Sequence, residues 1–339
     1  MNKADQAPSF SPVTRRTFLR NGAILTAGVA ALSLPARARV NKNSKLRIFQ
    51  VGVGGIGGLQ RGGLKGHPQV EWAGFCDVDR RELENIKKEQ PNAWTTSDYR
   101  EAFANKVGDF DAVIVDVPDF HHAPVMLTAM KHNKHMYGQK PLVHQLAELK
   151  MIRDGLKARP SLITHTPKPS GIGHSAHNQS TLTYAGGGRF AREKFVVHYN
   201  DDALRPSFAA LNLPPVKPGA NHTMVVCEEG TLLLQADGSP QIFRKGKEVE
   251  DESLPTVAPR NHWKDWADNC LGDHKPLWTP FDIGSRITEP ALLAVKATRY
   301  PGVELRWDAA NYRFTNHEKA NQEILSRQYR AGFAPPAVA

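Results

Sequence analysis

Residues 45–51 (KLRIFQV) form a short apolar strand that runs straight into the glycine-rich stretch 52–58. Helical spacing follows to about Lys65. A second strand at 70–75 ends in Cys76-Asp77-Val78-Asp79, and a charged helix over 80–89 comes next. The pattern predicts a short helix over 97–105, with Ser97 as its N-cap. Residues 111–117 are nearly all apolar, as strands of a buried parallel sheet are. A helix at 121–132, a strand at 134–137, a helix at 147–156 and a strand at 161–166 complete the series. Strands that alternate with helices predict an α/β fold with a doubly wound parallel sheet.

The pattern changes after Thr166. Residues 167–260 are rich in Pro and Gly, with period-two runs at 181–184, 194–199, 224–227 and 231–234. They predict an antiparallel sheet in a second, α+β domain. Helical spacing returns at 262–270, 283–299 and 316–329. The expected organisation is a leader at 1–38, a dinucleotide-binding domain at 44–166 and an α+β domain at 167–333 for substrate and oligomer contacts.

The first 38 residues read as an address. Thr14-Arg15-Arg16-Thr17-Phe18-Leu19-Arg20 precedes an apolar stretch too short to span a bilayer, and Pro35-Ala36-Arg37-Ala38 resembles a cleavage site. Paired arginines in that setting resemble a twin-arginine signal, so the expectation is export to the periplasm with no membrane anchor after cleavage. The leader carries Lys3, Arg15, Arg16, Arg20 and Arg37 against Asp5, so the formal net charge of +10 falls to +6 without it. Basic residues are not interleaved with aromatics, which argues against nucleic acid as a partner. Cys76, Cys227 and Cys270 lack metal or disulfide spacing and read as buried or half-buried thiols.

Gly52, Gly54 and Gly57 fit G-x-G-x-x-G between a strand and a helix. The first glycine permits the tight turn, the second lets backbone approach a pyrophosphate, and the third permits close packing of helix on strand. Gly55 and Ile56 lie within the same turn, at the helix N-terminus that favours an anion. Asp77, at the end of the second strand, stands where an acid accepts hydrogen bonds from the adenosine ribose. It favours NAD over NADP, while Arg80 and Arg81 leave NADP open. His121 and His122 open a helix, where such a pair is more often a capping feature than a metal site. Lys140-Pro141 ends a strand on the far half of the fold. A lysine there can hydrogen-bond a substrate hydroxyl and stabilise a developing alkoxide.

These segments together resemble the glucose–fructose oxidoreductase / inositol dehydrogenase / MocA family. The resemblance is carried by VGVGGIG, CDVD and DAVIVDVPDFHHAPVMLTAMKHNKHMYGQKPL. In the second half it is carried by HWKDWADNCLGD, FDIGSRITEPALLAVKATRYPGVELRWD and TNHEKANQEILSRQYRAGF. It implies a Rossmann domain followed by an α+β domain with an open sheet that mediates homo-oligomers. It implies oxidation or reduction of a sugar or polyol hydroxyl with NAD(P). By resemblance Gly52, Gly54, Gly57 and Asp77 hold the cofactor, and Pro118, His122 and Gln139 lie along its nicotinamide half. Lys140 is then the catalytic lysine with His122 beside it, and Pro141 is a candidate cis residue.

Two departures stand out. The family's Glu-Lys-Pro is Gln139-Lys140-Pro141 here, which keeps hydrogen-bonding reach and loses a charge. The family's D-x-x-x-H pattern, which faces the substrate beside the lysine, has no counterpart in residues 167–260. His174 and His198 are the candidates for a replacement. The second domain therefore reads as shortened. Two alternatives stay open: an NAD-dependent glycoside hydrolase of the same fold, and a dinucleotide-binding paralogue without catalysis.

Overall fold

The computed structural model describes residues 44–167, 179–186, 193–200, 222–235, 240–249 and 258–338, together with Phe208 and Leu213. The leader, His174 and most of the 201–221 segment lie outside the described residues.

Six strands form one parallel sheet in the order β3-β2-β1-β4-β5-β6. They are β1 (Leu46–Val51), β2 (Val70–Cys76), β3 (Trp94–Thr96), β4 (Ala112–Val115), β5 (His135–Gly138) and β6 (Thr164–His165). The helices between them are α1 (Ile56–Leu64), α2 (Arg80–Glu89), α3 (Tyr99–Asn105), α4 (His122–Lys131) and α5 (Leu146–Ala158). This is the Rossmann order, and the chain reverses direction across the sheet between β1 and β4, the point at which such sheets bind dinucleotides.

The central strands are apolar on both faces because helices cover both. Ile48, Phe49, Ala112, Val113, Ile114 and Val115 are all 0% exposed. On one face, Phe49 packs with Trp94, Phe103 and Phe110 at ring separations of 4.9 to 6.1 Å. On the other, Leu46, Ile48, Ala112, Ile114 and Tyr137 meet Leu64 and Trp266.

The second half supplies antiparallel hairpins and returning helices. β7 (Gln179–Ala185) pairs with β8 (Lys194–Asn200). β9 (His222–Val226), β10 (Thr231–Gln235), β11 (Gln241–Arg244) and β12 (Lys247–Val249) form a four-stranded meander. The expected antiparallel sheet is thus two separate sheets among the described residues. Then come α6 (His262–Cys270), α7 (Phe281–Ala297), the small pair β13 (Trp307–Asp308) and β14 (Arg313–Phe314), and α8 (Glu318–Ile324).

The returning helices complete the parallel-sheet core. α6 lies on α1 where Gly63 has no side chain, and a Cβ there would sit 2.3 Å from the Trp263 ring. α7 packs against α5, and its Phe281 and Leu292 join the core of Phe49, Val115 and Met126. Ser180 of β7 donates to the Ala294 carbonyl at 2.8 Å, which ties the β7–β8 hairpin to α7.

Several local expectations need correction. The N-cap of α3 is Asp98, whose carboxylate accepts from Arg100 N, and the helix begins two residues after Ser97. Asp wins because its charge complements the helix N-terminus as well as satisfying a free N–H. The 161–166 run contributes only Thr164–His165 as strand, and the 316–329 helix is confined to Glu318–Ile324. Cys227 is exposed after β9, whereas Cys76 is buried and its thiol is pushed up to about 12 by that burial.

Trp266 is 0% exposed and plugs the seam between α6 and the sheet. Replacing it with Ala should cost about 3–5 kcal/mol, read as a lower urea midpoint in equilibrium unfolding. A loss below about 1 kcal/mol would mean that α6 is not part of the folding core.

Candidate active site

The site is built at the C-terminal ends of β1, β4 and β5. Gly52 leaves β1 with φ +93°, and a Cβ on it would lie 2.5 Å from the Asp116 carbonyl at the end of β4. The turn therefore passes over β4 only because residue 52 has no side chain. A Cβ on Gly57 would sit 2.5 Å from the Gly52 carbonyl, so α1 presses directly onto the turn. Gly55 opens onto empty space, with nothing within 4 Å of its Cβ position, and only the flexible Glu82 side chain approaches Gly54. Gly57 N and Gly58 N bond back to Gly54 O and Gly55 O. The N–H groups of Gly54, Gly55 and Ile56, ahead of those bonds, have no main-chain acceptor among the described residues and are the donors available to an anion.

Asp77 holds this turn from the side. Its Oδ2 accepts from Val53 N at 2.8 Å and its Oδ1 from Asp79 N at 3.0 Å. A carboxylate has further lone pairs to offer, so the same group that fixes the turn can still accept from a ribose hydroxyl. Arg81 is already engaged with Asp79 at 2.6 Å on the surface. The open turn, the donors of a helix N-terminus and the acid at the end of β2 together fit a dinucleotide.

Beneath the turn lies a buried polar tie that sequence reasoning missed. Gln50, 0% exposed, donates from Nε2 to Gly57 O at 3.0 Å and to Asp116 Oδ2 at 2.7 Å. Arg61 Nη1 closes the group, donating to Gln50 Oε1 at 3.1 Å and to Val53 O at 2.9 Å. Asp116 Oδ1 is buried and has no partner among the described residues. Burial pushes the Asp116 carboxyl up to about 7, against the pull of Gln50, Gln60 and Arg61. A polar residue ending an apolar strand was the available signal.

On the β5 side, Gln139 is buried, its N–H bonds to Val115 O at 3.1 Å, and its Oε1 accepts from Lys140 N at 2.9 Å. The Lys140–Pro141 peptide is cis. Lys140 is exposed, and its ammonium has no ion-pair partner among the described residues. Pro118 is exposed at the start of the turn that leads into α4.

His122 is 1% exposed. Its Nδ1 lies 2.7 Å from Pro141 O and its Nε2 lies 2.8 Å from Val117 O. Burial lowers its pKa despite both carbonyls. The ring bridges the two loops and presents no nitrogen to the cleft. His122, expected in the site beside Lys140, thus stands in the structure as a residue that holds the two loops together. His121 packs edge-on against Tyr99 at 5.6 Å and faces Phe333 at 5.9 Å. His198 is exposed on β8 with Nδ1 3.0 Å from Thr181 Oγ1, as a surface cross-strand pair. No cluster among the described residues could hold a metal ion.

The asymmetry of Asp116 has a pH consequence. Its folded carboxyl, at about 7, lies above the ordinary value of about 3.9, so between the two the folded state holds the extra proton. Stability contributed by that proton is full below about pH 4 and is lost as pH rises through about 7. In urea unfolding, Asp116→Asn should remove this fall between about pH 4 and about pH 7. An unchanged pH profile would place the titration elsewhere.

Among solved structures, the chain is similar to the WlbA dehydrogenase from Bordetella pertussis in complex with NADH and UDP-GlcNAcA. The identity is 15%, the TM-score 0.54, and the match covers 78% of this chain and 100% of that one. It is also similar to UDP-N-acetylglucosamine 3-dehydrogenase GnnA from Acidithiobacillus ferrooxidans, at 14% identity, TM-score 0.50, and coverage of 74% of this chain and 96% of that one. At such identities these likenesses establish the fold. No curated protein sequence matches the chain. Residues 46–164 match the model of the oxidoreductase family with an NAD-binding Rossmann fold. By that match and by its strand order, the dinucleotide-binding domain of this chain belongs to the glucose–fructose oxidoreductase / inositol dehydrogenase / MocA family.

Proposed function

We propose that the protein is an NAD(P)-dependent oxidoreductase that acts on a sugar or polyol hydroxyl by hydride transfer. The observation that carries the reading is the exposed Lys140 at the end of β5, without an ion pair among the described residues and set beside β4 by the Gln139–Val115 bond on the opposite side of the switch point from the glycine turn. Sugar-processing names among the structural neighbours agree with it.

Bound NAD supplies the hydride acceptor. The chain's own residues do the rest. Gly54, Gly55 and Ile56 offer main-chain donors to the phosphates, and Asp77 offers its carboxylate to the ribose. Lys140 hydrogen-bonds the reacting hydroxyl and stabilises the negative charge that grows on its oxygen. Gln139 fixes the lysine's main chain through Oε1, and His122 holds the β4 and β5 loops at one spacing through the Val117 and Pro141 carbonyls. Gln139 orients the lysine without an adjacent negative charge, unlike the glutamate usual at this position.

A second reading is favoured by the absence of D-x-x-x-H from residues 167–260: a paralogue that binds dinucleotide and does not turn over. The Tyr184, Phe195 and Val196 side chains exposed on β7–β8 support association of copies through that hairpin. The paired arginines and the cleavage-like Pro35–Ala38 support export by the twin-arginine route.

Native mass spectrometry of the mature protein should show one NAD per subunit. In a nicotinamide absorbance assay over a sugar and polyol panel, Lys140→Ala should lower turnover by about 10²–10⁴-fold and leave NAD binding intact. Turnover unaffected by Lys140→Ala rules out the assigned role. NAD binding with no turnover on any sugar favours the second reading, and released monosaccharide without net reduction favours a hydrolase.

A further inference from the structure

A cleft of about 670 Å³ lies between the start of α5, the C-terminal end of α7 and residues 322–328. It adjoins the loops that carry the candidate site. His144 and Gln145 in its wall follow Lys140-Pro141 in the same loop, and Arg327 donates to the Phe120 carbonyl in the β4–α4 loop.

Three cations line it: Lys296, Arg299 and Arg327. Lys296 is half-buried, and burial lowers its pKa first, with Arg299 and Arg327 adding to the effect and Glu148 opposing it. Its ammonium gives one hydrogen bond to Gln145 Oε1 at 2.8 Å and keeps two N–H groups. Arg299 is exposed and has no ion pair among the described residues. Arg327 Nε is buried without an acceptor among the described residues.

The nearby acids are already committed. Glu148 accepts from His144 N and Gln145 N at 3.0 Å each and from the Tyr329 hydroxyl at 2.5 Å, besides holding Arg327 at 3.3 Å. Glu323 accepts from Tyr300 at 2.6 Å and faces Lys319 at 3.6 Å. Like charges drawn together around a partly desolvated cleft are costly unless an anion enters between them.

We propose that this cleft binds a phosphoryl or carboxylate group on the sugar whose hydroxyl Lys140 serves, so that the substrate is an anionic sugar. The assignment of the anion to the substrate rests on the oxidoreductase reading. The anion site itself does not. The cleft anchors the charged end of the substrate, and the loops at β4 and β5 receive the reacting end.

The test is calorimetric titration of the mature protein in excess NAD, which keeps added anions off the glycine turn. The probes are inorganic phosphate, glucose 6-phosphate, glucuronate and glucose. At least one of the three anions should bind and glucose should not, and binding should weaken as salt rises. The anion that binds distinguishes a phosphoryl from a carboxylate requirement. Arg299→Gln, at an exposed position that the fold tolerates, and Lys296→Gln, with its fold checked by circular dichroism, should each weaken binding by about ten-fold or more. Binding of none of the three anions, or binding unchanged in both variants, overturns the proposal. NAD titrated alone is a separate arm: its failure to bind removes the oxidoreductase reading, and the Arg299 and Lys296 variants then decide the anion site by themselves.

Discussion

The structure depends on the close approach of Gly52 to the end of β4. The φ of +93° and the 2.5 Å between a hypothetical Cβ and the Asp116 carbonyl leave room for hydrogen and nothing larger. Because the turn crosses there, α1 can start on top of it and leave its first N–H groups available to an anion. The same approach places the Asp116 carboxyl under the turn, where Gln50 ties it to Gly57 O. One geometric constraint thus sets the entry of the chain into α1, the opening of the cleft and the burial of a titratable acid.

The β5 side is organised by main-chain contacts. Gln139 N bonds to Val115 O, and His122 spans the carbonyls of Val117 and Pro141. These contacts make the exposed Lys140 part of a fixed edge instead of a mobile surface residue. Around that edge the charge is uneven. Lys140 has no ion pair among the described residues, and Lys296, Arg299 and Arg327 gather in the adjoining cleft while Glu148 is consumed by main-chain and tyrosine donors.

Much of the parallel half was legible because a sheet covered on both faces leaves a plain record. Residues 111–117 are almost unbroken apolar sequence, and β4 within them is buried along its length. The glycine spacing and Asp77 were legible because close approach and strand-end acids demand particular residue types. The second half was harder. Its hairpins are only partly buried, so β11 and β12 carry no strong alternation, and β13 and β14 are two residues each.

By itself, the order of residues determined the alternation of strands and helices, the glycine turn with its acid and the place of Lys140 at a strand end. All of these follow from local periodicity and from the steric demands of single residues. Tertiary structure decided what those residues face. His122 looked like a site histidine from its position and became a bridge between carbonyls because its ring is buried between two loops. Asp116 looked like the end of an apolar strand and became a perturbed acid because Gly52 passes over it. Lys296, Arg299 and Arg327 became one cationic cleft only when α7 and the 322–328 segment met the start of α5, for no local pattern records a neighbour roughly thirty residues or more away in the chain.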